Sequence, residues 1–203
     1  MAIPGIDISN WQGRITWSAV AADGIQFAIA KASESTTYAD PWFLRNWWGM
    51  KAAGIARGAY HFARPDENAP EAEADYFWAR IQAVGGLLPG DVLALDMEAG
   101  SGNLAAWTNR CLARLGALCG FRPFLYSGAW FMEPRGLYGD PELAQHGLWL
   151  AHYSSTAPAP PPDWPFVAIW QYTDGLPVAG IGGGVDGNWF DGTVEQFTAY
   201  GLP

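Results

Sequence analysis

The chain has 203 residues, half of them hydrophobic and 15% charged, with a formal net charge of −9. That length and apolar content suit one globular domain over residues 1–203 and exclude a disordered tail. The acidic balance argues against nucleic acid or an anionic membrane as partner, and no apolar run reaches the roughly 18 residues a membrane span requires.

The opening "MAIPGIDIS" lacks the basic start and apolar core of a secretory leader. The expectation is a monomer made in a cytoplasm without a signal peptide. Short β-rich runs ending on polar residues then recur eight times, at 3–9, 27–33, 57–63, 91–98, 122–128, 148–154, 166–172 and 184–190. Between the first five lie segments with helical spacing, 16–23, 40–53, 69–84 and 103–118, each followed soon by glycine. Strand–helix alternation of this kind predicts parallel strands, and eight of them predict a single closed α/β barrel. The late connections break the pattern: "SSTAPAPPPDWP" is too proline-rich for a helix and "TDGLPVAGIGGG" too glycine-rich, so the final crossovers are expected as loops. Cys111 and Cys119, eight apart on a helical segment, stand about 12 Å apart, too far for a disulfide.

In such a barrel the strand ends bring Asp7, Ser9, Lys31, Tyr60, Asp96, Glu98, Tyr126, His152, Gln171 and Asp186 to one rim. Asp96 and Glu98, in "VLALDMEAG", share one strand face, so their carboxyls repel unless a cation, solvent or a retained proton relieves them. Read alone, an Asp in "GID" or "GVDG" is a turn or cap residue, and the Asp96/Glu98 pair could be an ion pair with Lys31 or a metal site. Lys31 cannot neutralise four carboxylates, and no calcium-loop or zinc-motif spacing occurs, so no metal or cofactor is expected. A shielded carboxyl that keeps its proton near neutrality is a general acid. Trp11, Trp130, Trp170 and Trp189 fall near the same rim, where flat apolar faces beside polar groups suit sugar rings. His61 alternates away from Tyr60 and is read as a core histidine.

"GIDISNWQG", "FAIAKASEST", "GAYHFARP", "LALDMEAG", "FLYSG", "IWQYTDG" and "GVDGNWF" follow one another as in a known family. Across essentially its full length the chain resembles the glycoside hydrolase family 25 lysozymes, including phage endolysins. The resemblance implies a β/α barrel of eight strands and about five helices. It implies hydrolysis of the β-1,4 bond between N-acetylmuramic acid and N-acetylglucosamine in bacterial peptidoglycan, after release from a phage-infected host. It assigns Glu98 as general acid, Asp96 as its partner and Asp7 and Asp186 as flanking acids, with Lys31, Tyr60, Tyr126 and Gln171 on substrate. The rim reading adds Trp130, His152 and Trp170 to that contact set. The chain departs from the pattern at Ser33-Glu34-Ser35, where the family often has Thr-Glu-Gly. A chitinase-type barrel is disfavoured by Ala94, which stands where that family places a further Asp, and a non-catalytic sugar-binding barrel by the presence of Glu98. Two acids so close on one strand suit substrate-assisted retention better than inversion, which needs carboxyls about 6.5–9.5 Å apart.

Overall fold

In the computed structural model, which describes residues 2–203, every β-rich run identified above contains a strand. Strands β1 (Ala2–Ile8), β2 (Phe27–Glu34), β4 (Ala56–Phe62), β5 (Val92–Asp96), β6 (Phe124–Gly128), β7 (Leu148–Ala151) and β8 (Ile169–Pro177) run parallel around the wall. Strand β9 (Gly184–Asp191) fits between β8 and β1 and closes the ring, antiparallel to both. Strand β3 (Tyr38–Ala39) is a two-residue edge on β2.

The reversed β9 corrects the all-parallel expectation. Only residues 178–183 separate β8 from β9, whereas a parallel crossover needs a dozen or more residues, so the chain must return as a hairpin. The β7–β8 connection is the expected helix-free proline loop.

Helices α1 (Trp17–Ala22), α2 (Phe43–Ala52) and α3 (Pro70–Ala83) lie inside the segments of helical spacing, and α4 (Ala105–Cys119) runs one residue past the end of its own. Pro70 occupies the first turn of α3, where its missing N–H costs nothing, and Gly120 ends α4 in the left-handed region. Two short helices, α5 (Ala129–Met132) and α6 (Val194–Thr198), bring the number among the described residues to six. Cys111 and Cys119 are buried and unbonded.

Alternation along the strands sorts side chains into two apolar layers. Val92 and Ala94 of β5 face the barrel interior with Phe27, Ile29, Phe124, Trp149, Ile169 and Phe190. Leu93 and Leu95 face outward against a layer that includes Trp47 of α2, Phe77 and Ile81 of α3 and Leu112 of α4. Gly5 is required inside: a Cβ there would come within 2.2 Å of the Phe27 ring. Phe197 of α6 packs on Phe27, ring centroids 4.6 Å apart, at the end where β2 begins. The interior-facing polar residues lie at the opposite end, where the parallel strands finish.

Candidate active site

Four carboxyl groups meet at that mouth. Asp7 comes from the end of β1, Asp96 from the last residue of β5, Glu98 from the turn just beyond it, and Asp186 from the start of β9. Asp7 and Asp186 are direct cross-strand partners, so their side chains share the interior face. Asp7 Oδ2 accepts two amide N–H groups, from Gln171 at 2.9 Å and Asn188 at 2.8 Å. Those amides are anchored in turn. Gln171 Oε1 accepts from the hydroxyls of Tyr126 (2.9 Å) and Tyr153 (3.2 Å), and Asn188 Oδ1 accepts from Trp149 Nε1 (2.8 Å).

Burial, and then the neighbouring Asp186, push the Asp7 carboxyl well above the usual carboxylate range. Asp186 is also raised, chiefly by burial. Two opposed acids in a shielded mouth cannot both ionise freely, which favours a proton retained on one of them. Asp96 is 4% exposed, and its Oδ1 has no hydrogen-bond partner in the protein. Burial and the facing Glu98 hold its carboxyl well above the ordinary range. Glu98 is raised by burial and then by Asp186, while Lys31 and Arg64 pull it the other way. The site thus offers a carboxyl whose burial favours the protonated form and, beside it, a buried oxygen free to accept a hydrogen bond.

Each half of the mouth carries a hollow. One, about 420 Å³, is lined by Glu98, Tyr126, Trp130, His152 and Tyr153. The other, about 660 Å³, lies over the ends of β1, β2 and β4 and includes Trp11, Lys31, Glu34 and Arg64. Trp11 is 86% exposed and Trp130 71%, so each half carries an indole face turned to solvent. Lys31 Nζ lies 2.6 Å from Glu34, and Arg64 Nε donates to the same carboxylate at 2.8 Å. Among the described residues no group of three or more His, Cys, Asp or Glu is placed to hold a metal ion.

The structure brings Asp7, Lys31, Asp96, Glu98, Tyr126, Trp130, His152, Gln171 and Asp186 to this mouth. Tyr60 joins them below the acids, with its phenol pushed well up by burial and by Asp7, Asp96 and Asp186. Trp170 does not belong there. Alternation on β8 turns Gln171 inward and Trp170 outward, onto an outer-wall hollow shared with Phe166 and Trp189, and its Nε1 donates to the His152 carbonyl at 2.7 Å. Asn188, Trp149, Tyr153 and Arg64 are the residues sequence reasoning passed over. Asn188 carried a signal, standing two residues after Asp186 and therefore on its face, whereas Tyr153 follows the end of its strand and nothing local marks it. His61 is buried on the outer side, 2.8 Å from Ser33 Oγ and 3.0 Å from Glu73, a satisfied core histidine as its alternation suggested.

Residues 6–181 match the profile of Glycosyl hydrolases family 25. The chain is 36% identical to Lysozyme M1 of Streptomyces globisporus over 97% of its own length and 70% of that protein. It is 31% identical to an N,O-diacetylmuramidase of Chalaropsis sp, with 96% of each chain covered. Its structure superposes on the bacterial lysozyme from Streptomyces coelicolor with a TM-score of 0.88 and 33% identity, covering 98% of this chain and 97% of that one. With the barrel, the acid cluster and these matches together, the chain belongs to glycosyl hydrolases family 25.

Proposed function

We propose that the chain is a lysozyme of the N-acetylmuramidase type, a single catalytic domain that cuts the β-1,4 bond between N-acetylmuramic acid and N-acetylglucosamine in peptidoglycan, with net retention. The lysozymes and muramidase among its relatives support the substrate class. The observation that carries the mechanism is the unpartnered, buried Asp96 Oδ1 beside Glu98, whose carboxyl burial raises above the usual range.

Both sugars flanking the bond carry a 2-acetamido group. Asp96 Oδ1 accepts the N–H of that group on the sugar to be cleaved and aligns its carbonyl oxygen with the anomeric carbon. The oxygen attacks as the glycosidic bond breaks, and the leaving oxygen takes the Glu98 proton. Glu98, now ionised, removes a proton from the water that opens the cyclic intermediate, which restores the acid and leaves the β-anomer. Asp7 and Asp186 hold the site's charge through a shared proton, and Gln171, itself held by Tyr126, fixes the position of Asp7. Trp130 and His152 form one wall for the sugar chain, and Lys31 stands on the other side.

The test is digestion of purified peptidoglycan, followed by borohydride reduction and sugar analysis, with NMR of the first-formed anomer. Reduced muramic acid and an initial β-anomer are expected. Reduced glucosamine would refute the bond assignment. An initial α-anomer would refute substrate assistance and shift the base role to Asp7 or Asp186.

A further inference from the structure

The larger hollow is firmly built. On one side of it fully buried Glu73 holds the segment 62–68, accepting from His61 Nε2 (3.0 Å), the Arg64 backbone N–H (3.0 Å) and Asn68 Nδ2 (2.9 Å). Asn68 also donates to Ser35 Oγ at 2.9 Å and accepts from Thr36 Oγ1 at 3.0 Å. Ser35 stands at φ +54°, a conformation that favours glycine, and its hydroxyl bond to Asn68 helps hold it there. Where related sequences often carry glycine, this chain has a strained, tethered serine on the pocket wall.

That scaffold presents charge. Lys31 and Arg64 share the single carboxylate of Glu34, and their cationic groups sit 4.8 and 4.6 Å from the centre of the Phe62 ring. The two cations outnumber the one carboxylate they share, an excess that Glu67 on the same pocket wall offsets, and the ammonium and guanidinium retain unused N–H donors. No Lys or Arg lines the other half, and the chain as a whole carries −9. An anionic group crossing this mouth finds Lys and Arg donors in this hollow and none in the other.

Resting on the lysozyme reading above, we propose that the Lys31–Glu34–Arg64 pocket takes a carboxylate of the peptide borne by the glycan, so that the enzyme distinguishes peptide-bearing glycan from plain poly-N-acetylglucosamine by charge. Bidentate Arg–carboxylate pairing supplies the recognition. Glu67, on the pocket's edge, weakens it.

The test compares initial rates on intact peptidoglycan with rates on the same material after its peptide carboxylates are capped as amides. The wild-type chain should show a lower KM on the uncapped substrate. Arg64→Gln should raise KM about 2–5-fold more on that substrate than on the capped one, the range for a partly exposed ion pair. Arg64→Lys should restore part of the preference, and Glu67→Lys should widen it. A wild-type enzyme indifferent to capping, an Arg64→Gln loss equal on both substrates, or no widening with Glu67→Lys would overturn the proposal. A wild-type chain that cut neither substrate would overturn the lysozyme reading itself and this one with it.

Discussion

Asp96→Asn probes the acid cluster through stability as well as rate. The side chain is almost wholly buried, and its carboxyl is pushed well above the ordinary range by burial and then by Glu98. In the unfolded chain an aspartate ionises near pH 3.9, so above about pH 4 folding must supply the proton that the folded site retains. The sign follows: this group lowers stability as pH rises from the unfolded value toward the raised folded one, and costs nothing of this kind below both. Each pH unit of retained proton costs about 1.4 kcal/mol. Asparagine keeps the volume and the unpaired oxygen but carries no proton, so it removes this cost alone. Asp96→Asn should therefore be more stable than wild type at neutral pH, with a higher Tm. The gain should shrink toward zero near pH 4. Thermal unfolding at the two pH values, followed by circular dichroism, measures it. A variant less stable than wild type at neutral pH, or equally stabilised at both, would refute the electrostatic account of the cluster.

Glu98→Gln should fold normally and hydrolyse peptidoglycan about 10²–10⁴-fold more slowly, as measured by release of reducing ends. Because burial raises the Glu98 carboxyl, wild-type activity should persist above the ordinary carboxyl range and fall as pH rises through that raised value. Full activity at strongly alkaline pH in a folded protein would contradict this. Asn188→Leu removes one donor from Asp7 and orphans Trp149 Nε1, which should cost about 1–3 kcal/mol in a denaturant titration and lower kcat. Arg57→Met, at the other end of β4, leaves Asp91 buried without its bidentate partner and should cost about 3–5 kcal/mol while sparing kcat at permissive temperature.

Period-two alternation made most of the barrel readable, because buried strands with one face to the interior and one to the helices repeat a strong local signal. It placed Asp7 and Asp96 on the interior face and His61 on the outer one. It failed for Trp170 because richness in aromatics was weighed above register: Gln171, its neighbour, already claimed the inner face. Networks between distant segments were not readable. The Asn188–Asp7 bond joins positions 181 residues apart, and Tyr153 reaches Gln171 from a loop with no periodic pattern. The short helices α5 and α6 were missed for another reason, since four or five residues give too little periodicity to register.

The reversal of β9 is what completes the acid cluster. Asp186 is the third residue of its strand. Had β9 run parallel to the others, an early position would lie at the closed end, near Phe27 and Phe197. Running antiparallel, β9 begins at the mouth and sets Asp186 directly against Asp7, while Phe190, four residues on, packs on Phe197 with ring centroids 5.4 Å apart. A single strand thus serves both ends of the barrel: its start supplies an acid and its finish supplies core. Asn188 lies between them on the same face, and it bonds both to Asp7 and to the interior Trp149. The hairpin that the glycine-rich connection forces is therefore a condition of the proposed chemistry, because it delivers the fourth carboxyl and the amide that anchors the first.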